Sequence, residues 1–168
     1  MVSKIHVIDE KVRAVPASKQ ALRLWLRLFS STTMIEQRMR QLLKDRFGTT
    51  LPRFDFMAML YRHPEGMSMG QLSRWLMVSN GNVTGVAERL EKEGLILREP
   101  SPADRRSHIV TMTDKGRAAF EDWAEEHENW ITDLFAALSP DEISTLIDLL
   151  AKAKASVEQS ENRQSKEG

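Results

Sequence analysis

Two short clusters hold the side chains best suited to chemistry. Ser79, Asn80, Asn82 and Thr84 place four small polar groups within six residues, interleaved with Gly81 and Gly85. At the start of a helix such groups reach base edges in a major groove without striking its walls, and the glycines let the backbone come close. Arg89 lies further along the same outward side. The second cluster is Ser101-Pro102-Ala103-Asp104-Arg105-Arg106, a turn tipped by two guanidinium groups. Arg105 and Arg106 suit the negative potential of a narrow minor groove, and Asp104 is placed to pair with one of them and fix its direction. Upstream, Ser68, Gln71 and Arg74 suit phosphate contact or a purely structural cap. Taken alone, the first cluster is also an ordinary polar helix start and the second an ion-paired surface turn. The order of the flanking elements favours the nucleic-acid reading.

These clusters need a frame, and the flanking sequence predicts one. Residues 1–17 show no sustained period and end near Val15-Pro16, so they predict a flexible arm. A helical stripe, Leu22, Trp25, Leu26 and Phe29 and later Met39, Leu42, Leu43 and Phe47, predicts one long helix within 18–50, stopped by Gly48. Pro52 opens a second, Phe54–Tyr61, apolar on several sides. Ser68 and Gln71 form a capping box for a third helix reaching about Met77, and Ser79 caps a fourth that turns Val83, Val86, Ala87 and Leu90 inward. Gly94 ends it. Leu95–Arg98 and His108–Met112 read as a hairpin, Thr113 caps a helix running to Leu138, and Ser139-Pro140-Asp141-Glu142 starts the last one. The expected fold is mainly α with a small β-hairpin: a winged helix-turn-helix lobe over 51–113 between dimerisation helices at 18–50 and 114–158. Residues 159–168 predict a polar, disordered tail.

The 168 residues have zero formal net charge, which hides a strong polarity. Residues 1–50 carry ten Lys and Arg against four Asp and Glu, while 118–168 carry four against twelve. A basic excess of six finds a natural partner in phosphate, and the acidic end suits a solvated face. There is no cysteine, which excludes disulfides, thiol redox sensing and Cys-ligated zinc. With no signal peptide and no apolar run long enough for a bilayer, the expectation is a soluble cytoplasmic protein with no membrane partner.

Several stretches then resemble the MarR family of bacterial transcription regulators. They are Leu72-Ser73, Val78-Ser79, Glu88-Arg89-Leu90-Glu91-Lys92-Glu93-Gly94-Leu95, Asp104-Arg105-Arg106 and Thr113-Asp114-Lys115-Gly116. The resemblance covers about 18–155 and implies a homodimer that binds double-stranded DNA at a palindromic operator. It also implies release when a small, often aromatic, ligand binds between the dimer helices and the DNA-binding lobe. Leu51 stands where many members have threonine. A narrower resemblance lies in Leu24–Leu28, Thr49–Asp55 and Met77–Gly85. These are similar to the branch controlling degradation of hydroxycinnamates and related aromatic acids, which implies an aromatic acyl-CoA effector such as p-coumaroyl-CoA. Trp25, Phe29, Phe54 and Met57 would wall an aromatic pocket, with Trp123 and His127 beside it. Arg38, Arg40, Lys44, Arg46 and Arg53 would meet CoA phosphates. Two other readings stay open: the aromatic and Met stripes as core, and the first-helix cations as DNA contacts. A free aromatic carboxylate is the alternative effector.

An enzyme acting on the same thioester has little support. His6, His63, His108 and His127 are scattered without metal-ligand spacing, no Ser/His/Asp set is visible, and no Gly-rich loop follows a strand. Neither a catalytic site, a metal nor a cofactor is expected. A helical dimerisation module without DNA affinity is the third possibility.

Overall fold

The computed structural model describes residues 10, 15–16, 18–76, 80–100 and 108–167. Most of the expected arm therefore lies outside the described residues. Two compact units divide the chain, Met1–Trp130 and Ile131–Gly168.

In the first unit, α1 (Gln20–Phe47) ends at Gly48, whose φ of 62° is the left-handed termination that glycine makes easily. Lys44 and Arg46 occupy its last turn, where cations complement the helix dipole. The second helix, α2 (Leu51–Arg62), begins one turn before the apolar run, because Pro52 is already set for a first helical turn. It buries Phe54, Phe56, Met57 and Leu60. Gly66 has a φ of 89°, and a Cβ there would lie 2.6 Å from Ile109 Cγ2 and 2.9 Å from the Val110 carbonyl. The turn after α2 thus lies flat against a strand.

That strand belongs to a sheet of three, one more than the expected hairpin. β1 (Met67–Ser68) pairs antiparallel with β3 (His108–Met112), which also pairs with β2 (Ile96–Pro100), in the order β1-β3-β2. Its registers are Met67↔Val110 on one side and Ile96↔Met112 to Pro100↔His108 on the other. Two residues cannot display a period of two, so β1 carries no pattern of its own. Between β1 and β2 lie α3 (Met69–Leu76) and α4 (Asn80–Lys92). The core joins Leu43, Phe56, Leu60, Leu72, Val83, Leu90, Ile96 and Val110, with Phe120 and Trp123 from α5 (Asp114–Leu134). This is the winged helix-turn-helix expected, with β1 as a third strand.

In the second unit, α5 stops at Leu134 instead of running to Leu138. The Phe135 amide is shared between the Ile131 and Thr132 carbonyls, and Leu138 N–H turns back to Phe135, so the last turn tightens and breaks. The start of α6 (Pro140–Glu167) is the expected capping box. Ser139 N–H donates to Glu142 Oε2 at 2.8 Å and Glu142 N–H to Ser139 Oγ at 3.3 Å. Donation from the Ser139 amide, and next from its hydroxyl, holds the Glu142 carboxyl below the usual glutamate range. The helix continues to Glu167, where the sequence reading put a disordered tail over 159–168. Low apolarity rules out a packed core there but not a helix: the segment is rich in Lys, Glu, Gln and Arg, with no Gly or Pro before Gly168. Ile147, Leu149, Leu150 and Val157 on α6 are exposed, as are Leu22, Leu24, Trp25 and Phe29 on α1.

Candidate nucleic-acid interface

Helix α4 is the element that could enter a major groove. Val83, Ala87 and Leu90 pin one side of it to the core, while Asn82, Glu88 and Arg89 face solvent and Thr84 is half-buried. Asn80 is its first residue. Ser79, Asp104, Arg105 and Arg106 lie outside the described residues, although the strands that flank the wing loop are paired right up to Pro100 and His108. Ser68 and Gln71 are committed to the cap of α3. The Ser68 amide and hydroxyl donate to Gln71 Oε1 at 2.8 and 3.0 Å, and the Gln71 amide donates to Ser68 Oγ at 3.2 Å. Of the alternatives weighed for this pair, the structure displays the structural cap.

The far end of α4 is gripped by residues that the sequence displays only as a recurring motif. In Thr113-Asp114-Lys115-Gly116, Thr113 Oγ1 donates to the Gly94 carbonyl at 2.8 Å and Lys115 Nζ to the Glu93 carbonyl at 2.7 Å. Gly116 packs so closely that a Cβ would lie 2.0 Å from the Leu95 carbonyl oxygen. The Gly116 amide also donates to Thr113 Oγ1 at 2.9 Å, capping α5. From α2, Arg53 pairs with the Glu93 carboxylate, and from β2, Arg98 pairs with Glu91. This last bond raises the Arg98 pKa. The wing strand and the recognition helix are thereby tied to each other.

Under α4, from Gly81 to Arg89, lies a cleft of about 520 Å³. Glu36 and Arg40 of α1, Leu51, Pro52 and Asp55 of α2, and Asn82, Val86 and Arg89 of α4 line it, among others. Desolvation raises the Asp55 pKa, Arg40 opposes the shift and Glu36 reinforces it. The cleft mixes apolar walls with two acids and two guanidinium groups, so it suits a small ring bearing polar substituents.

Of the residues expected to hold an effector, Arg40 lines this cleft and the rest fall into three places. Trp25 and Phe29 stack on each other along α1, ring centroids 6.0 Å apart, and are 58% and 52% exposed. Arg38, Arg40, Lys44 and Arg46 are exposed on the same helix. Arg40 is paired with Glu36, and Arg46 lies 3.6 Å from Glu126. Arg53 is turned to Glu93 rather than held out toward a ligand phosphate. Met57 has no exposed surface, and Phe54 and Trp123 have almost none. Their apolar area packs the interior in place of the aromatic wall expected, because α5 lies across α2 and brings Phe120 to 5.4 Å from Phe54.

His127 stacks on Phe54 at 4.5 Å, and burial lowers its pKa below the ordinary histidine value of 6.5. The folded state therefore favours the neutral ring and the unfolded chain takes up the proton first. This contribution to stability is complete above about pH 6.5 and is lost as pH falls below it. His127→Phe should keep the stack and remove the loss. Urea midpoints at pH 7 and pH 5 should differ less for the variant than for the parent, and equal differences would reject this role.

Among the described residues no helix is long and apolar enough to cross a membrane, and no group of acids and histidines could hold a metal. A model of the MarR family matches residues 49–108. The chain is 36% identical over 132 residues to the uncharacterised HTH-type transcriptional regulator YkoM of Bacillus subtilis, covering 78% of this chain and 82% of that one. It is 37% identical over 103 residues to the transcriptional activatory protein BadR of Rhodopseudomonas palustris, covering 60% and 58%. Among solved structures, a MarR family transcriptional regulator from Silicibacter pomeroyi superposes with a TM-score of 0.71 at 31% identity, covering 85% of this chain and 99% of that one. Sco3205 from Streptomyces coelicolor, solved in complex with DNA, superposes at 0.72 with 20% identity over 83% and 88%, a likeness of fold.

Proposed function

Since this chain belongs to the MarR family of DNA-binding transcriptional regulators, we propose that it is a ligand-responsive repressor, a homodimer that leaves a palindromic operator when an aromatic effector binds. It is a regulator and not an enzyme, as are its relatives. The observation that carries the effector reading is the cleft beneath α4. Asn82, one of the base-reading candidates, lines the same space as Glu36 and Arg40 of the first helix. A molecule filling that space touches the DNA-reading element directly, which gives it a means to favour one of the DNA-bound and free states, the differential affinity that linkage requires. The exposed apolar residues of α1 and of α6 support the dimer, since each is surface that a second copy would cover.

The effector we favour is a hydroxycinnamoyl-CoA thioester, controlling genes for aromatic-acid degradation, with its ring in the cleft and its phosphates along Arg38, Arg40 and Lys44. The size of the cleft favours a second reading. About 520 Å³ accommodates a free aromatic acid entirely, whereas the nucleotide of a CoA thioester must lie outside it. Titrating a protein–DNA complex in parallel with free hydroxycinnamates and their CoA thioesters separates the two. Release by the thioester alone is expected; release by the acid alone selects the second reading, and release by neither removes aromatic control. The complex itself should weaken steeply with salt, as phosphate contacts require.

A further inference from the structure

The two ends of the recognition helix are held differently. From Gly81 to Arg89 one side borders the open cleft, while Val83 and Ala87 sit in the core. At its end, charged and hydroxyl groups from other elements converge on three consecutive residues. Arg53 meets the Glu93 side chain, Lys115 the Glu93 carbonyl and Thr113 the Gly94 carbonyl, while the first turn of α5 abuts Leu95.

The Arg53–Glu93 pair is unusual for its setting. The Arg53 side chain is 13% exposed, and its Nε is buried with no hydrogen-bond partner among the described residues. A guanidinium so enclosed is costly to desolvate and its partner Glu93 is 48% exposed, so the pair adds little net stability. What the ion pair adds is direction. A planar donor on the first turn of α2 meets one carboxylate just past the last turn of α4, which fixes how α4 is rotated and tilted on the lobe. Lys115 adds a second tether to the same residue from α5.

We infer that Arg53, Glu93 and Lys115 are positioning residues for DNA reading: without touching DNA, they anchor the end of α4 so that the helix presents Asn82 at a fixed angle. Val83, Ala87 and Leu90 hold one side of the helix on the core, so a rotation about its axis at Glu93 is carried to Asn82, some ten residues and roughly 15 Å away. The inference rests on DNA reading by α4 and not on the effector.

The test uses the full-length protein and the duplex it selects from a random-sequence pool; failure of the unaltered protein to select any duplex would overturn DNA reading itself. The double variant Arg53→Met, Glu93→Leu replaces the ion pair by apolar volume, and Lys115→Met removes the exposed tether. The double variant should keep its melting temperature within a few degrees, along with its oligomeric state and its affinity for random DNA. Its operator-to-random affinity ratio should fall about tenfold, and that of Lys115→Met about threefold. A preserved ratio in both variants overturns the inference, and so does a parallel loss on operator and random DNA, which marks a merely structural pair. Should the double variant fail to fold, Lys115→Met decides alone by the same two measures.

Discussion

Gly116→Ala is expected to destabilise the protein by roughly 4 kcal/mol or more, the range reserved for a steric fault in a packed site. Local preference argues the other way. Gly116 lies in the first turn of α5, where alanine is intrinsically better than glycine by about 1 kcal/mol. The environment overrides that preference, because a Cβ would lie 2.0 Å from the Leu95 carbonyl oxygen, and a backbone atom cannot rotate aside as a side chain can. Relief would require lifting α5 from the end of α4, breaking the Thr113 and Lys115 bonds together. Equilibrium urea denaturation measures the effect. A variant as stable as its parent, or more so, would show that α5 has room to shift and that the close approach is dispensable.

Asn82→Ala should act in the opposite way, leaving the fold intact and changing what is read. The side chain is exposed near the start of α4, and its truncation creates no cavity. If it makes a bidentate contact with a base, its loss costs about 1–3 kcal/mol of discrimination, five- to 150-fold in operator affinity. Affinity for random duplex should hardly change. Binding titrations on both duplexes check this, and equal losses on the two would make Asn82 a backbone contact.

How far the sequence discloses this molecule depends on the range of the signal. Local devices are legible: the capping boxes at Ser68/Gln71 and Ser139/Glu142 form as the spacing predicts, and Gly48 stops α1. The core face of α4 follows from its periodicity, and the burial of α2 from its nearly continuous apolar run. Less legible is whatever depends on which elements meet. Phe54, Met57 and Trp123 have the types a ligand pocket uses, and those types also fill a core; only the crossing of α5 over α2 decides between them. Arg53 looks like a phosphate ligand until its partner, forty residues away, is seen to be Glu93. The cleft has no sequence signature at all, since its lining is drawn from α1, α2, α4 and Leu76 of α3. The Thr113-Asp114-Lys115-Gly116 motif was visible as a likeness, while its physical content, a latch on the end of another helix, needed the fold.

The uncovered apolar residues on α1 and α6 have a consequence for dosage. If the DNA-competent species is a pair of chains, its concentration rises with the square of the chain concentration wherever single chains predominate. A twofold change in expression then becomes about a fourfold change in operator-ready protein. Occupancy of a promoter by such a regulator has a threshold in copy number before any effector is present, set by how strongly those apolar faces pair.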